Sequence, residues 1–255
     1  MRPEFRPEFR PETQQLAQQE RLPALSPTAA RELVAQKLSG FADITWDWSR
    51  IQAFTLERIN QIITARGVPA EDLTAPRLDI AVPAIEAMRY SALKDEMAVL
   101  IASTMDARLA HEAHPAFIEI IKQLTLDEVH ILSALPPAGQ VLPMVNITYV
   151  DRGDRVFSSL RYVIPERIAM TCAARRPIPS YIDNLLRLNL IASPSNLGIS
   201  EERPYRDLLA QTFIADMDAR QPAHIKAEIE RRVITLTDFG DKFRRCCLDG
   251  DAVAG

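Results

Sequence analysis

Apolar residues recur at helical spacing through the first half of the chain, and strand-forming runs appear only later. Ser26-Pro27 offers a cap followed by a first-turn proline, and Leu33, Val34, Leu38 and Phe41 then repeat at helical intervals until Gly40 ends the run. A longer helix is predicted from about Trp46 to Arg66. Ile51, Phe54, Ile59, Ile62 and Ile63 form its apolar face, and Gly67 and Pro69 close it. Leu78 to Tyr90 predicts another helix, started or kinked by Pro83. Ser91 then stands as a cap for a helix carrying Leu93, Met97, Leu100, Ile101 and Met105 on one face and Lys94, Asp95, Asp106 and Arg108 on the other. Pro115 to Leu124 predicts a short helix with Phe117, Ile120, Ile121 and Leu124 as its stripe. Thr125 and Glu128 then form a capping box for a third helix with Val129, Leu132 and Leu135, which Pro136-Pro137 stops.

Beyond Pro137 the pattern changes. Val141, Val145, Ile147, Tyr149 and Val150 form one run of strand formers, and Val156, Phe157, Tyr162 and Val163 form a second. Asp151-Arg152-Gly153-Asp154 between them is turn chemistry, so a β-hairpin is expected. Pro179-Ser180 opens a helix with Ile182, Leu185, Leu186 and Leu190, and a polar loop follows from Ser193 to Pro204. Tyr205 to Met217 reads as one helix, Val233 to Thr237 as a short strand, and Thr237-Asp238 as the cap of a last helix through Phe243.

At the start, Arg-Pro-Glu-Phe repeats from Arg2 to Glu12, with a proline in each copy. That period excludes helix and central strand and predicts a disordered tail over 1–25. The expected organisation is therefore a helical domain over 26–135, an α+β half over 136–247 and a short tail over 248–255.

Composition changes this picture little. The 255 residues are 47% hydrophobic and 25% charged, as in an ordinary soluble protein, and eight glycines with 6% aromatics favour helix over sheet. A net charge of -4 excludes a wholly basic nucleic-acid binder but leaves room for a local basic patch. Three cysteines, Cys172, Cys246 and Cys247, with no CxxC spacing, fit a reducing cytoplasm. No apolar run reaches the roughly 20 residues of a membrane span.

Catalytic motifs are hard to find. His111-Glu112-Ala113-His114, with Asp106 near in sequence, approaches a metal cluster, but the two histidines are three apart rather than four and run into Pro115. A helix-end loop is the better reading, with His114 capping the helix that follows. No GxSxG, Cys–His pairing or Gly-rich phosphate loop is present. The expectation is no enzyme, no metal and no cofactor. Trp46, Trp48 and Phe41 suggest a membrane-surface anchor, but Asp43 and Asp47 stand among them where Lys and Arg would be needed. Arginine is enriched in the second half. Arg175, Arg176, Arg187, Arg231, Arg232, Arg244 and Arg245 are the candidates for phosphate contacts, against the alternative of a solvated surface or salt bridges.

The order helix, helix, strand, long excursion, strand, helix resembles a winged helix with an expanded wing. "LLRLNLI" stands where the recognition helix would lead into the wing, and "ITLTDFGDKF" where the wing returns into a final helix. The expected fold is thus mainly α, an N-terminal helical bundle followed by a winged-helix-like half with an inserted β-hairpin. The segments "RGVPAEDL", "AIEAMRYSALKDEMAVLIASTMDA" and "HPAFIEIIKQLTLDEVHILSAL", with the two pieces above, resemble the Abi-alpha family of bacterial proteins associated with abortive infection. Where that family commonly has a more acidic run in the central helix, this chain has Lys94-Asp95-Glu96. The resemblance implies phage defence as the setting and supplies no catalytic residue. The expected function is a cytoplasmic, non-catalytic abortive-infection component working through a protein partner. The alternative is a winged-helix nucleic-acid-binding regulator or sensor. The pattern specifies no oligomeric state.

Overall fold

The computed structural model describes residues 48–250. The expected tail over 1–25, the helix after Ser26, and Phe41 and Trp46 lie outside the described residues. Helix α1 (Trp48–Ala65) ends as its sequence predicts. Gly67 takes φ 57°, where a side chain would be strained, and its N–H and that of Val68 return to the carbonyls of Thr64 and Ile63. A 3-10 turn (Ala70–Asp72) leads to α2 (Leu78–Ala87), with Pro83 inside it, and then to α3 (Lys94–Met105). Ser91 does not cap α3 directly. Leu93 holds the cap position, and Ser91 Oγ accepts from the Leu93 amide at 2.9 Å.

Helix α3 is the hub, and it departs from the predicted two-faced pattern. All eight residues from Met97 to Thr104 are buried, because α1, α2 and α10 (Asp238–Cys247) pack around it. Asp106, expected on a solvated face, has no exposed surface. Arg108 folds back over it, donating from Nε and Nη2 at 2.8 Å each. The buried hydroxyls are also satisfied. Ser103 Oγ donates within reach of the Val99 and Cys246 carbonyls and accepts from Arg66, while Thr104 Oγ1 donates to Ile101 O.

Helices α4 (Ala116–Ile121) and α5 (Leu126–Ala134) follow. The expected capping box at Thr125 and Glu128 is formed in both directions. Phe117 of α4 meets Phe239 and Phe243 of α10, with ring centroids 5.3 Å apart in each case.

The hairpin is present as β1 (Leu142–Val150) and β2 (Val156–Val163), turned by Asp151, whose carboxylate accepts from the amides of Gly153 and Arg155. It is not set apart as an insertion. Strand β4 (Lys226–Leu236) pairs antiparallel with the whole of β1 from Lys226 to Ile234, so a single sheet has the order β2-β1-β4-β3, with β3 only Ile191–Ala192. β4 is twice the expected strand, because Lys226 to Arg232 is too charged to read as sheet. Short α6 (Glu166–Ala169) and α7 (Ile178–Arg187) lie between β2 and β3. The single helix expected from Tyr205 to Met217 is two, α8 (Arg203–Leu209) and α9 (Thr212–Ala219). They break at Gln211, whose side chain donates to Ile164 O across the core.

One core runs from Ile62 of α1 to Cys247 of α10, taking in α2 to α7 and the near ends of β1 and β4. A smaller one fills the space between the far end of the sheet and α8 and α9, around Val145, Ile147, Tyr149, Tyr205, Leu208 and Ile214. No helix of the described residues is long and apolar enough to cross a membrane.

Candidate functional site

The described residues offer three places with unusual chemistry, and they do different jobs. The first is the Thr125-Leu126-Asp127-Glu128 stretch. Glu128 Oε2 accepts from the Thr125 amide and hydroxyl, while its Oε1 accepts from Asn184 Nδ2 of α7 at 2.7 Å. Asp127 accepts from the amides of Ala173 and Ala174 and from Tyr181 Oη. The capping box therefore also latches α5 to α7 and to the turn before it. Burial works against the Asp127 carboxylate, but the Ala173 and Ala174 amides and the Tyr181 hydroxyl outweigh it and hold its pKa below the ordinary aspartate value.

A carboxyl whose pKa is depressed by folding stabilises the fold above its unfolded-state pKa and loses that contribution as pH falls through the folded value. Stability should therefore drop in acid below the ordinary aspartate range. Asp127→Asn should remove part of that pH slope and cost about 2 kcal/mol at neutral pH, since an amide cannot accept from both backbone N–H groups with the strength of a carboxylate. Urea unfolding of both proteins from neutral pH to pH 3 measures this, and parallel stability curves would contradict it.

The second place is the cysteine pair. Burial pushes the Cys246 thiol up to about 12 and raises Cys247 well above its ordinary value, so neither is a thiolate near neutral pH. Both lie with no exposed surface in the α10 face that meets α3.

The third is a cleft of about 430 Å3 lined by β2, α6, the turn into α7 and the start of α9. Its floor is apolar, with Leu160, Ile178 and Phe213, and arginines stand at its rim. Arg161 donates to both Asp183 oxygens, at 2.9 and 3.3 Å, and to Tyr162 Oη at 2.6 Å. Tyr162 Oη in turn donates to Asp183 at 2.8 Å. Tyr162 has φ 55°, a left-handed conformation that strains a bulky residue by about 1–3 kcal/mol. The strain is held by Asn146 Oδ1, which accepts from the Tyr162 amide, and by Asp183 at the other end of the side chain. The next two arginines on the rim, Arg175 and Arg176, are exposed and make no side-chain hydrogen bond or ion pair among the described residues.

The seven arginines predicted as one phosphate-contacting set are spread over the molecule. Arg244 donates to the carbonyls of Leu135 and Pro136, joining α10 to the end of α5. Arg245 pairs with Glu112 at 2.9 Å and with Asp241. Arg232 donates to Ser193 O and pairs with Glu230. Arg231 sits 5.6 Å above the Tyr205 ring and faces Glu202. Arg187 binds Asn184 and Gln123. Only Arg175 and Arg176 of the seven stand on the cleft. The sequence shows Arg161 among the basic residues of the hairpin region, Asp183 among the acids that could pair with them and Tyr162 as a strand former, but it does not join the three. Nothing in the chain marks a tyrosine as left-handed, and the ion pair joins positions 22 residues apart.

Near the histidines, His114 Nδ1 accepts from the Ala116 amide at 3.0 Å, the predicted cap of α4. His111 points to solvent, Glu112 belongs to Arg245 and Asp106 to Arg108. Among the described residues no group of three or more potential metal ligands converges.

A family model described as abortive infection alpha matches residues 50–247. No curated protein matches the chain. Among solved structures, the chain is similar to an uncharacterized protein from the hydrocarbon-degrading marine bacterium Alcanivorax borkumensis SK2. The two share 17% identity over 60% of this chain and 94% of that one, with a TM-score of 0.34.

Proposed function

Because the chain belongs to the abortive infection alpha family, we propose that it is a cytoplasmic component of phage defence that acts by contacting another protein rather than by catalysis. The observation that carries the second half of this reading is the assignment of the polar groups. Asp127, Glu128 and Arg244 are spent on holding separate segments together, Arg245 on Glu112 in the turn after α3, and Asp106 on Arg108 at the end of α3. What is left open to a partner is a cleft with an apolar floor, two uncommitted arginines and a neighbouring strand with exposed Val156 and Phe157. Such a mix of apolar core and charged rim suits a protein contact.

The test is cross-linking in infected cells. A photo-cross-linker at Phe157 or Phe213 should capture a protein that one at the solvent-facing Gly198 does not. Equal labelling from all three positions would argue against a contact at this face.

A second reading treats α7, β3 and β4 as a winged-helix-like unit that binds nucleic acid. Arg175 and Arg176 just before α7, with Arg187 exposed on it, favour it. Titration of a labelled DNA duplex across a salt series separates the two. With only these arginines available, log Kd should change with log salt by a slope no steeper than about 3, and loss of binding by Arg231→Ala would require a rearrangement of the Tyr205 stack. Salt-sensitive binding within that slope would favour the nucleic-acid reading, and no binding at low salt would favour a protein partner.

A further inference from the structure

The sheet has two open edges, and they are built differently. On one side β3 covers only Thr235 and Leu236 of β4, which leaves Lys226 to Arg232 unpaired on that flank. That stretch carries Lys226, Glu228, Glu230, Arg231 and Arg232, and charge of this density is how proteins keep a bare edge from pairing with another chain. The other edge is β2, eight residues long, with no strand beyond it among the described residues. Its sequence, Val-Phe-Ser-Ser-Leu-Arg-Tyr-Val, has one charge, and that charge is tied to Asp183. Val156 and Phe157 at its start are about two-thirds exposed. β2 breaks register with β1 at Phe157 and again at Arg161-Tyr162, where Tyr162 is left-handed, so the regular part of this edge is Ser158 to Leu160, which carries no charge and is open to an incoming strand.

The cleft lies along this same edge. Its lining takes in every residue from Ser159 to Ile164. Ser159 and Leu160 are successive residues of the regular part of the strand and point to opposite faces, so a cleft lined by both flanks the strand there rather than one face of the sheet, while the bulge at Arg161-Tyr162 shapes the rest of its wall. Opposite β2 the cleft wall supplies Ile178 and Phe213 for apolar side chains, and Arg175 and Arg176 for negative ones. Glu166 is its single acidic member.

We propose that the free edge of β2 and the adjoining Arg175–Arg176 cleft receive an extended, acidic segment of a partner protein, which adds as a fifth strand and sets its carboxylates against the two arginines. This names the kind of segment recognised and rests on the protein-contact reading above. Main-chain hydrogen bonds to β2 supply the common part of the affinity. Ile178, Phe213 and the arginines select the side chains.

The test is selection of displayed random decapeptides on the full-length protein, followed by hydrogen exchange of the complex with the best one. The expected peptides carry two or more Asp or Glu residues, alternate them with β-branched or aromatic residues, and lack proline at their centre. Arg175→Glu with Arg176→Glu should weaken the selected peptide at least tenfold and leave thermal unfolding of the free protein unchanged. Methylation of two alternate peptide nitrogens should abolish binding. The edge-facing amides between Ser158 and Leu160 should exchange at least tenfold more slowly in the complex.

Selection of peptides without acidic enrichment, indifference to the charge reversal, or unchanged exchange in β2 would overturn the proposal. So would formation of a dimer through β2 at micromolar concentration, which would assign the edge to a second copy. A partner captured by cross-linking whose bound segment is helical would sink strand addition and leave the protein-contact reading standing.

Discussion

Gly240→Ala should unfold this protein or destabilise it by at least about 4 kcal/mol, an effect at the far end of what single substitutions do. Gly240 lies in the first turn of α10, where the helix backbone presses directly on the chain at Leu190. A Cβ there would overlap the Leu190 carbonyl oxygen and sit 2.7 Å from its carbonyl carbon and 2.9 Å from its Cα. These are backbone atoms, so no rotamer change relieves the clash. Leu190 cannot retreat either. Its carbonyl accepts from the Thr237 amide at 3.2 Å, and Thr237 Oγ1 donates to Asn189 O at 2.6 Å while accepting from the Gly240 amide at 2.8 Å. The helix cap and the contact with α7's end are thus one assembly, and moving α10 away would open the core around Phe243, Cys246 and Cys247. Gly198→Ala is the control, because a Cβ there meets nothing, and it should change stability by less than about 0.5 kcal/mol. Urea unfolding followed by circular dichroism measures both. A Gly240→Ala protein with near-normal stability would mean that α10 does not dock on Leu190.

Arg66→Met should cost about 3 kcal/mol, a fall in Tm on the order of 10 °C for a domain of this size. Arg66 is 6% exposed, and burial lowers the pKa of its guanidinium, against which nearby Asp106 pulls the other way. One arm donates to Ser103 Oγ at 2.9 Å and the other to Asp249 O at 3.0 Å, with Arg245 O at 3.5 Å. These last carbonyls belong to the last turn of α10 and to the second residue past it, where a helix leaves carbonyls without internal partners and where positive charge is favoured. Met keeps the stem and the packing but orphans the Asp249 carbonyl and removes a donor from Ser103. Lysine keeps the charge but cannot span both sites, so Arg66→Lys should recover less than half of the loss. Ser103→Ala should cost about 1 kcal/mol, because the Arg66 contacts to α10 survive it. Full stability in Arg66→Lys would show that charge alone, and not the two-armed geometry, secures this end.

Punctuation was the part of the fold best written in the sequence. Thr125, Thr237, Gly67 and His114 act through neighbours within a few residues, so local chemistry sufficed to place them. The hairpin turn at Asp151 to Asp154 was legible for the same reason. Two kinds of feature were not. The first half of β4 is polar because it is exposed on the sheet's outer flank, and its strand conformation comes from pairing with β1, some 80 residues earlier in the chain. Asp106 at the end of helix α3 reads as part of a wet face, and Ser103 and Thr104 interrupt its apolar run. Partners from α1, α10 and the following turn make that face dry. The arginine set failed as a set for a related reason. Sequence counts charges, but whether Arg244 faces solvent or the Leu135 carbonyl is decided by helices that meet only in the folded chain. The cleft depended on the same thing twice over, through a pairing edge and a left-handed tyrosine.

The join between Arg66 and the end of α10 spans 183 residues of sequence. It sets a schedule for the protein's birth. At ribosomal speeds of about 5–20 residues per second, roughly 10 to 40 s separate the synthesis of Arg66 from that of its acceptor. From the completion of α3 until α10 is made, α3 has no α10 to cover it, and the apolar surface of Met97 to Ala102 is open on that side. The nascent chain is then a client for chaperones, and a message cut short before α10 yields a polypeptide with an unfinished interior. The finished fold is thus a report that translation ran through α10.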